Sequence, residues 1–341
     1  MNAATSPLRS PPQRAVAAAA TEALARQAAE LWDGTLIGRE PVRAVQNYVF
    51  AIERAGRPAI LRLTHESHRS VEEVEAELRW ILDLKECGLP VAAPYRSRRD
   101  CRAETVPSAQ GGFVVSCFEH LAGTEPDPKN PELWTDRMFE QLGALTARMH
   151  QASYDAAWTP ATLPRRNWRE ESVAQNFHFY VPVGEKAVHD AFDRVLAKLD
   201  ALPRSRDAYG LIHGDLNHAN FLLTPDGLKV FDFDDSCYCW FAYDLIVPIF
   251  HFPSADETEM DARARHAFRL LLRGYESVRR FNPAWLKWLP LLLQWRDLQT
   301  YGFFYEQLEI SALPENLRQK FLGMRARIEA GRPIAEIGGT G

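Results

Sequence analysis

The chain has 341 residues, 40 Lys and Arg against 45 Asp and Glu, a net charge of −5 and an apolar content of 46%. That length is generous for a single hydrophobic core and suits two lobes, and the apolar content is that of an ordinary soluble globular protein. The mild acidity excludes a broad nucleic-acid footprint. No uncharged apolar run is long enough to span a bilayer, and the Ala15–Ala20 run is too short for a signal segment. Five cysteines, an odd number, fit reduced thiols in the cytoplasm, and the close pair Cys237 and Cys239 reads as packing rather than as a metal site.

The first thirteen residues, rich in Ser, Pro and Arg, have no period and read as a disordered tail. Helical spacing then runs from Ala15 to Trp32 and stops at Asp33-Gly34. Strands follow over Leu36–Val45, Asn47–Glu53 and Arg57–Leu63, a three-stranded antiparallel meander whose first member is an edge because of Pro41. Ser70 with Glu73 three residues on is a capping box, and its helix ends before Gly88 and Pro90. Two more strands are expected at Ala92–Ser97 and Gly112–Phe118. Helices follow over Thr135–Gln151 and Ala187–Leu202.

The most informative stretch is Leu211–Leu223 with Lys229–Asp235. Two apolar runs flank Pro225-Asp226-Gly227, which reads as a β-hairpin. Asp215 and Asn220 are five apart, the spacing of a kinase catalytic loop, and Asp232 ends the second strand, where a hairpin would return it towards Asn220. Phosphoryl transfer needs an acceptor for a hydroxyl proton and hard oxygen ligands for a magnesium ion. Asp215 suits the first task, Asn220 and Asp232 the second, and His213 would pack the loop. His-Gly-Asp alone is also an ordinary turn; it is the combination with Asn220 and the acidic strand end that points to chemistry.

Beyond it, Trp240–Phe250 reads as a buried helix, and helices continue over Asp256–Val278, Pro283–Leu308 and Glu315–Ala330. The segment around Trp285, Trp288, Trp295, Tyr301 and Phe304 interleaves aromatics with Arg296, Asp297 and Glu306. Aromatics at helical spacing suit a core, and with carboxylates they would also suit an aminated ligand.

Several of these segments recur together in one known family. Asn47-Tyr-Val-Phe50, Ala59–Leu63, Glu77–Leu82, Leu89–Pro94, Leu142–His150, His213–Asn220, Val230–Asp235 and Tyr243-Asp-Leu245 make the chain resemble the aminoglycoside phosphotransferase and choline kinase-like family. In look it is nearest to the bacterial stress-response and type II homoserine kinases. The resemblance implies an α+β, bilobal protein-kinase-like fold. A small antiparallel-sheet lobe with one helix would precede a larger, mainly helical lobe carrying the catalytic hairpin. The implied order is a tail over 1–13, a nucleotide lobe with its leading helix over 14–117, a hinge over 118–124, a catalytic and acceptor lobe over 125–334, and a frayed end over 335–341.

By position, Gln46–Phe50, with Asn47, would be the nucleotide-loop turn, here without a glycine triplet. Arg62 stands where the family usually has a phosphate-pairing Lys, and Glu77 would orient it. Glu119 and Leu121 would meet adenine through their backbone, and ATP would bind between the lobes. Asp244 would brace the catalytic loop. The cofactors implied are ATP and Mg2+, with Asp215 as the base. The partner implied is a small molecule offering a hydroxyl: an amino alcohol, an amino-acid alcohol such as homoserine, or an aminoglycoside-like compound. The short connection after Asp235 favours such an acceptor over a peptide. A Ser/Thr protein kinase of the stress-response type and a non-catalytic nucleotide-binding homologue are the alternatives, the latter supported by Arg62.

Overall fold

A computed structural model describes residues 10–250 and 257–337. Residues 1–9 of the expected tail, 338–341 of the expected frayed end and Asp256 at an expected helix start lie outside the described residues. The chain divides into two compact units. One holds the residues up to Glu86 with Val91–Leu121 and Phe304–Pro314; the other holds Cys87–Pro90, Ala122–Phe303 and the residues from Glu315 onward.

The first unit opens with α1 (Pro11–Ala19) and α2 (Glu22–Glu30). Residues 10–13, expected in the disordered tail, instead begin structure. Ser10 donates its amide to the Gln307 carbonyl at 3.0 Å and its hydroxyl to the Glu306 carbonyl at 2.8 Å. The single helix expected to Trp32 is broken because Thr21 caps the second one, its hydroxyl accepting the Leu24 amide at 3.1 Å. Then come β1 (Gly34–Leu36), β2 (Arg43–Ala44), β3 (Asn47–Arg54), β4 (Arg57–His65), α3 (Val71–Glu86), β5 (Ala103–Ser108) and β6 (Gly111–Glu119).

The sheet order is β1-β3-β4-β6-β5, antiparallel, with β2 also on β3. Pro41 falls in the gap between β1 and β2, so the long first strand is two short ones. Inward residues Tyr48, Phe50, Ile52, Leu61, Leu63 and Phe113 form its core with α2. The capping box of α3 is present: the Ser70 amide donates to Glu73 at 2.9 Å and the Glu73 amide to the Ser70 hydroxyl at 3.3 Å. The strand expected over Ala92–Ser97 is not formed. With Pro94 unable to donate to a ladder, that segment keeps only a bridge at Pro94–Phe118, and Ala103–Ser108 takes the place beside β6.

The second unit is mainly helical. It comprises α4 (Asp136–Ala156), α5 (Ser172–Tyr180), α6 (Lys186–Asp200), β7 (Tyr209–Ile212), β8 (Phe221–Thr224), β9 (Gly227–Val230), β10 (Cys237–Trp240), α7 (Phe241–Phe250), α8 (Glu257–Glu276), α9 (Leu289–Gln307) and α10 (Glu315–Ala330), with α9 running past Phe303 into the first unit. Residues 283–288 form a 3-10 turn ahead of α9, and Trp240 closes β10 rather than opening a helix. β7 pairs with β10 and β8 with β9. Helices α4 and α8 cross with their backbones almost touching. A Cβ on Gly143 would sit 2.0 Å from the Leu271 carbonyl oxygen, and one on Gly274 would sit 1.9 Å from that of Glu140. Trp295 and Tyr301 are core residues: Trp295 meets Trp168 edge-on at 5.5 Å, and Tyr301 stacks on Phe321 at 4.6 Å.

Candidate active site

The expected hairpin forms as β8 and β9 with a two-residue Pro225-Asp226 turn, closed by the Thr224 hydroxyl donating to the Gly227 carbonyl at 2.8 Å. Pairing continues beyond the ladder, since the Phe231 amide donates to the Asn220 carbonyl at 3.1 Å. Asp232 therefore leaves the hairpin alongside Asn220. Its φ of +64° is a left-handed kink that ends the strand, and its side chain is partly exposed.

Asp215 is held on both carboxylate oxygens. Oδ2 accepts the Asn217 amide at 2.7 Å and the Asn220 amide at 3.0 Å; Oδ1 accepts a guanidinium N–H of Arg296 on α9. Asn220 also donates to the Asp215 carbonyl at 2.8 Å, which locks the loop between them into one turn. The pair Asp215–Arg296 is partly open, with side chains 19% and 15% exposed. Burial works against the Arg296 charge, but the Tyr243 oxygen and the Asp215 carboxylate outweigh it and hold the guanidinium pKa above its ordinary value. In the sequence Arg296 is only a charge interleaved among aromatics; no local signal ties it to a residue 81 positions away.

Behind the loop lies a fully buried brace. The Asp244 carboxylate accepts the His213 amide at 2.9 Å, the Gly214 amide at 2.8 Å and His150 Nε2–H at 3.0 Å. His150 Nδ1 accepts the Tyr275 hydroxyl at 3.1 Å. Burial would raise the Asp244 pKa, but the hydrogen bonds from His150 and from the backbone amides win, and it is lowered. For His150 burial is the largest cause, and it outweighs Asp244, so that pKa is lowered too and the ring is neutral. The helix-end histidine is thus a strut, as is Asp244. Gly214 needs its φ of +83°, and a Cβ there would lie 2.2 Å from the Asp235 carbonyl oxygen.

His213 ties the loop to the hairpin. The Asp215 amide donates to its Nδ1 at 3.3 Å, so the proton sits on Nε2, which meets the Phe231 carbonyl at 3.2 Å. Arg165, 2% exposed, donates to the Ser236 carbonyl at 2.9 Å and to that of Asp234, fixing the turn after Asp232. Among the described residues no group of three or more His, Cys, Asp or Glu is gathered as a metal site.

The remaining candidates lie in the first unit. Arg62 forks onto Glu77 with N···O distances of 2.8 and 2.7 Å, both side chains almost wholly buried, and its guanidinium lies 5.0 Å from the Phe118 ring centroid. Asn47 accepts the Thr64 hydroxyl at 2.6 Å. Glu119 accepts Lys85 at 3.0 Å and the Ala93 amide at 3.2 Å, and Leu121 ends the unit half-buried. The structure thus joins Asp215 to Asn220 and Arg62 to Glu77, while Asn47 and Glu119 have other partners.

A curled antiparallel sheet with its flanking helices and a helical unit carrying this hairpin define a phosphotransferase of the protein-kinase-like, α+β class. The chain belongs to the phosphotransferase enzyme family (APH), whose model matches residues 38–281. It is 30% identical over 293 residues to the amicoumacin kinase of Bacillus subtilis, covering 85% of this chain and 86% of the relative. A solved amicoumacin kinase in complex with AMP-PNP and Ca2+ superposes with a TM-score of 0.83 and 27% identity, over 95% of this chain and 97% of that one. The microcompartment-associated aminopropanol kinase follows at 0.70 and 25%, over 90% and 95%. The expected family and fold are therefore right, and the protein is a kinase-type enzyme.

Proposed function

We propose that the protein is an ATP- and Mg2+-dependent kinase that phosphorylates a hydroxyl of a small molecule, with Asp215 as the base. The carrying observation is the Asp215–Asn220 turn held from behind by Asp244, which presents a fixed carboxylate beside a hard oxygen donor. Asp215 orients the hydroxyl and receives its proton as the phosphoryl group arrives. Asn220 and Asp232 suit Mg2+: the Asn220 amide nitrogen is spent on Asp215, which turns its oxygen the other way, and amide and carboxylate are both hard donors. The ion, when bound, would neutralise charge on the nucleotide phosphates.

The first unit, with Asn47, Arg62 and Glu77, is the nucleotide lobe in this reading. Glu119 and Leu121 belong to a hinge over 118–124, and residues from 125 form the catalytic lobe, less the 304–314 segment. The Arg62–Glu77 fork supplies the lobe's fixed cation. Two relatives are named for amicoumacin and aminopropanol, which favours an amino alcohol or a related antibiotic as acceptor. The carboxylate of Asp297 does not support a cationic cage, because it is buried and paired with Arg327 at 2.7 Å. All five cysteines are unpaired, in keeping with action in the cytoplasm.

The test is ATP turnover with a panel of aminopropanol, homoserine, amicoumacin and aminoglycosides, and with added protein for the alternative protein-kinase reading. At least one small acceptor raises turnover, and Asp215→Ala lowers it by about 10²- to 10⁴-fold. If nucleotide binds and no acceptor changes turnover, the non-catalytic reading replaces this one.

A further inference from the structure

The hydrogen bonds around Asp215 place a second residue at the reacting centre. A carboxylate oxygen offers about two lone-pair sites. Oδ2 already accepts two amides, from Asn217 at 2.7 Å and Asn220 at 3.0 Å. An acceptor hydroxyl must therefore meet the carboxylate at Oδ1, the oxygen that Arg296 holds. The guanidinium then stands beside the oxygen that attacks phosphorus.

Arg296 is also fixed in place. Its other terminal nitrogen lies 3.4 Å from the Tyr243 hydroxyl, which itself donates to Gln299, and its carbon lies 5.8 Å from the Phe250 ring centroid. The loop between Asp215 and Asn220 offers no cation of its own. It reads Leu216, Asn217, His218 and Ala219, with no Lys or Arg among them. A transferring phosphoryl group carries charge that needs a preorganised cation.

We propose that Arg296 is a further catalytic residue of the phosphotransfer, the cation that bridges Asp215 and the arriving phosphoryl group. The inference rests on the kinase reading above. In the step, the acceptor oxygen forms a bond to the γ-phosphorus, and the bond from that phosphorus to the β,γ-bridging oxygen breaks, its electron pair leaving with ADP. The hydroxyl proton moves to Asp215 Oδ1. Negative charge at the carboxylate falls while charge next to it, on the new phosphate ester, persists, and the guanidinium exchanges one for the other.

The experiment uses the full chain, with ADP, Mg2+ and fluoroaluminate as a planar stand-in for the transferring group, read by calorimetry, alongside steady-state ATP turnover. In the native protein fluoroaluminate tightens ADP binding at least about tenfold. In Arg296→Gln, ADP alone binds within about twofold of native, the tightening is lost, and kcat falls on the order of 10²- to 10³-fold. Arg296→Lys, which keeps the charge but not the fork, recovers part of both, and it decides the matter if the Gln variant does not fold. Retained tightening with more than about a fifth of native kcat in these variants would make Arg296 a strut and overturn the proposal. So would a native protein that binds ADP without any tightening. A native protein with neither nucleotide affinity nor turnover defeats the kinase reading itself.

Discussion

Two arginine–carboxylate pairs, one in each unit, are built in opposite ways from the same chemistry. Arg62 and Glu77 meet in a two-bonded fork with side chains 5% and 0% exposed, from a strand and a helix 15 residues apart. Arg296 and Asp215 meet through one carboxylate oxygen, are 15% and 19% exposed, and stand 81 residues apart. The first pair has its carboxylate satisfied on both oxygens by one partner. The second shares its carboxylate with two asparagines. A closed fork holds a shape; a shared carboxylate can take part in a change of charge. Burial and sharing, rather than residue type, separate the two roles.

That contrast can be broken by measurement. Glu77→Ala leaves a buried guanidinium uncompensated and should destabilise the first unit by about 3–5 kcal/mol. Denaturant unfolding checks this, and a loss no larger than that of Arg296→Gln would erase the distinction. Arg62→Lys keeps charge but gives up the fork, so one charge-assisted bond is lost, a cost of about 1.5–3 kcal/mol. In the proposed nucleotide lobe this should appear in the KM for ATP more than in kcat, whereas Arg296 variants should show the reverse.

The smallest effect is a pH dependence. His150 is neutral when folded, with its pKa lowered from 6.5, so the unfolded chain binds the extra proton first. Stability is full above about pH 6.5 and declines as pH falls below it, with a slope of at most about 1.4 kcal/mol per pH unit for one proton. His218 shifts in the same direction and adds to that window. The Asp244 pKa is lowered from 3.8, so its contribution is lost only in a second, more acid fall. Melting curves from pH 8 to 3 on native protein and His150→Gln separate the two, and a variant with an unchanged slope above pH 4 would remove His150 from the account.

What could be read in advance follows the distance over which each signal acts. The Ser70–Glu73 box and the Pro225-Asp226-Gly227 turn are local, and both formed as expected. That Asp215 meets Asn220, and that Asp232 leaves the hairpin beside it, follows from a loop of fixed length and a tight turn. The helix break at Thr21 was missed because apolar spacing continues across it while one hydroxyl ends it. Ala92–Ser97 looked as apolar as a strand, yet Ala103–Ser108, with Glu104 and Thr105 in it, won the place beside β6 through pairing that no periodicity reports. His150 and Asp244, 94 residues apart, and Arg296 with Asp215, are joined only by the path of the helices.

The glycine contact between α4 and α8 therefore reaches further than packing. His150 rides on α4 and Tyr275 on α8, next to Gly274, so the phase in which the two rods mesh decides whether ring and phenol align. A methyl shim at either glycine would slide one rod along the other and unhitch the strut under Gly214 without touching a polar atom. The pitch of a bare helix crossing is, in effect, the tuning screw of the loop from His213 to Asn220.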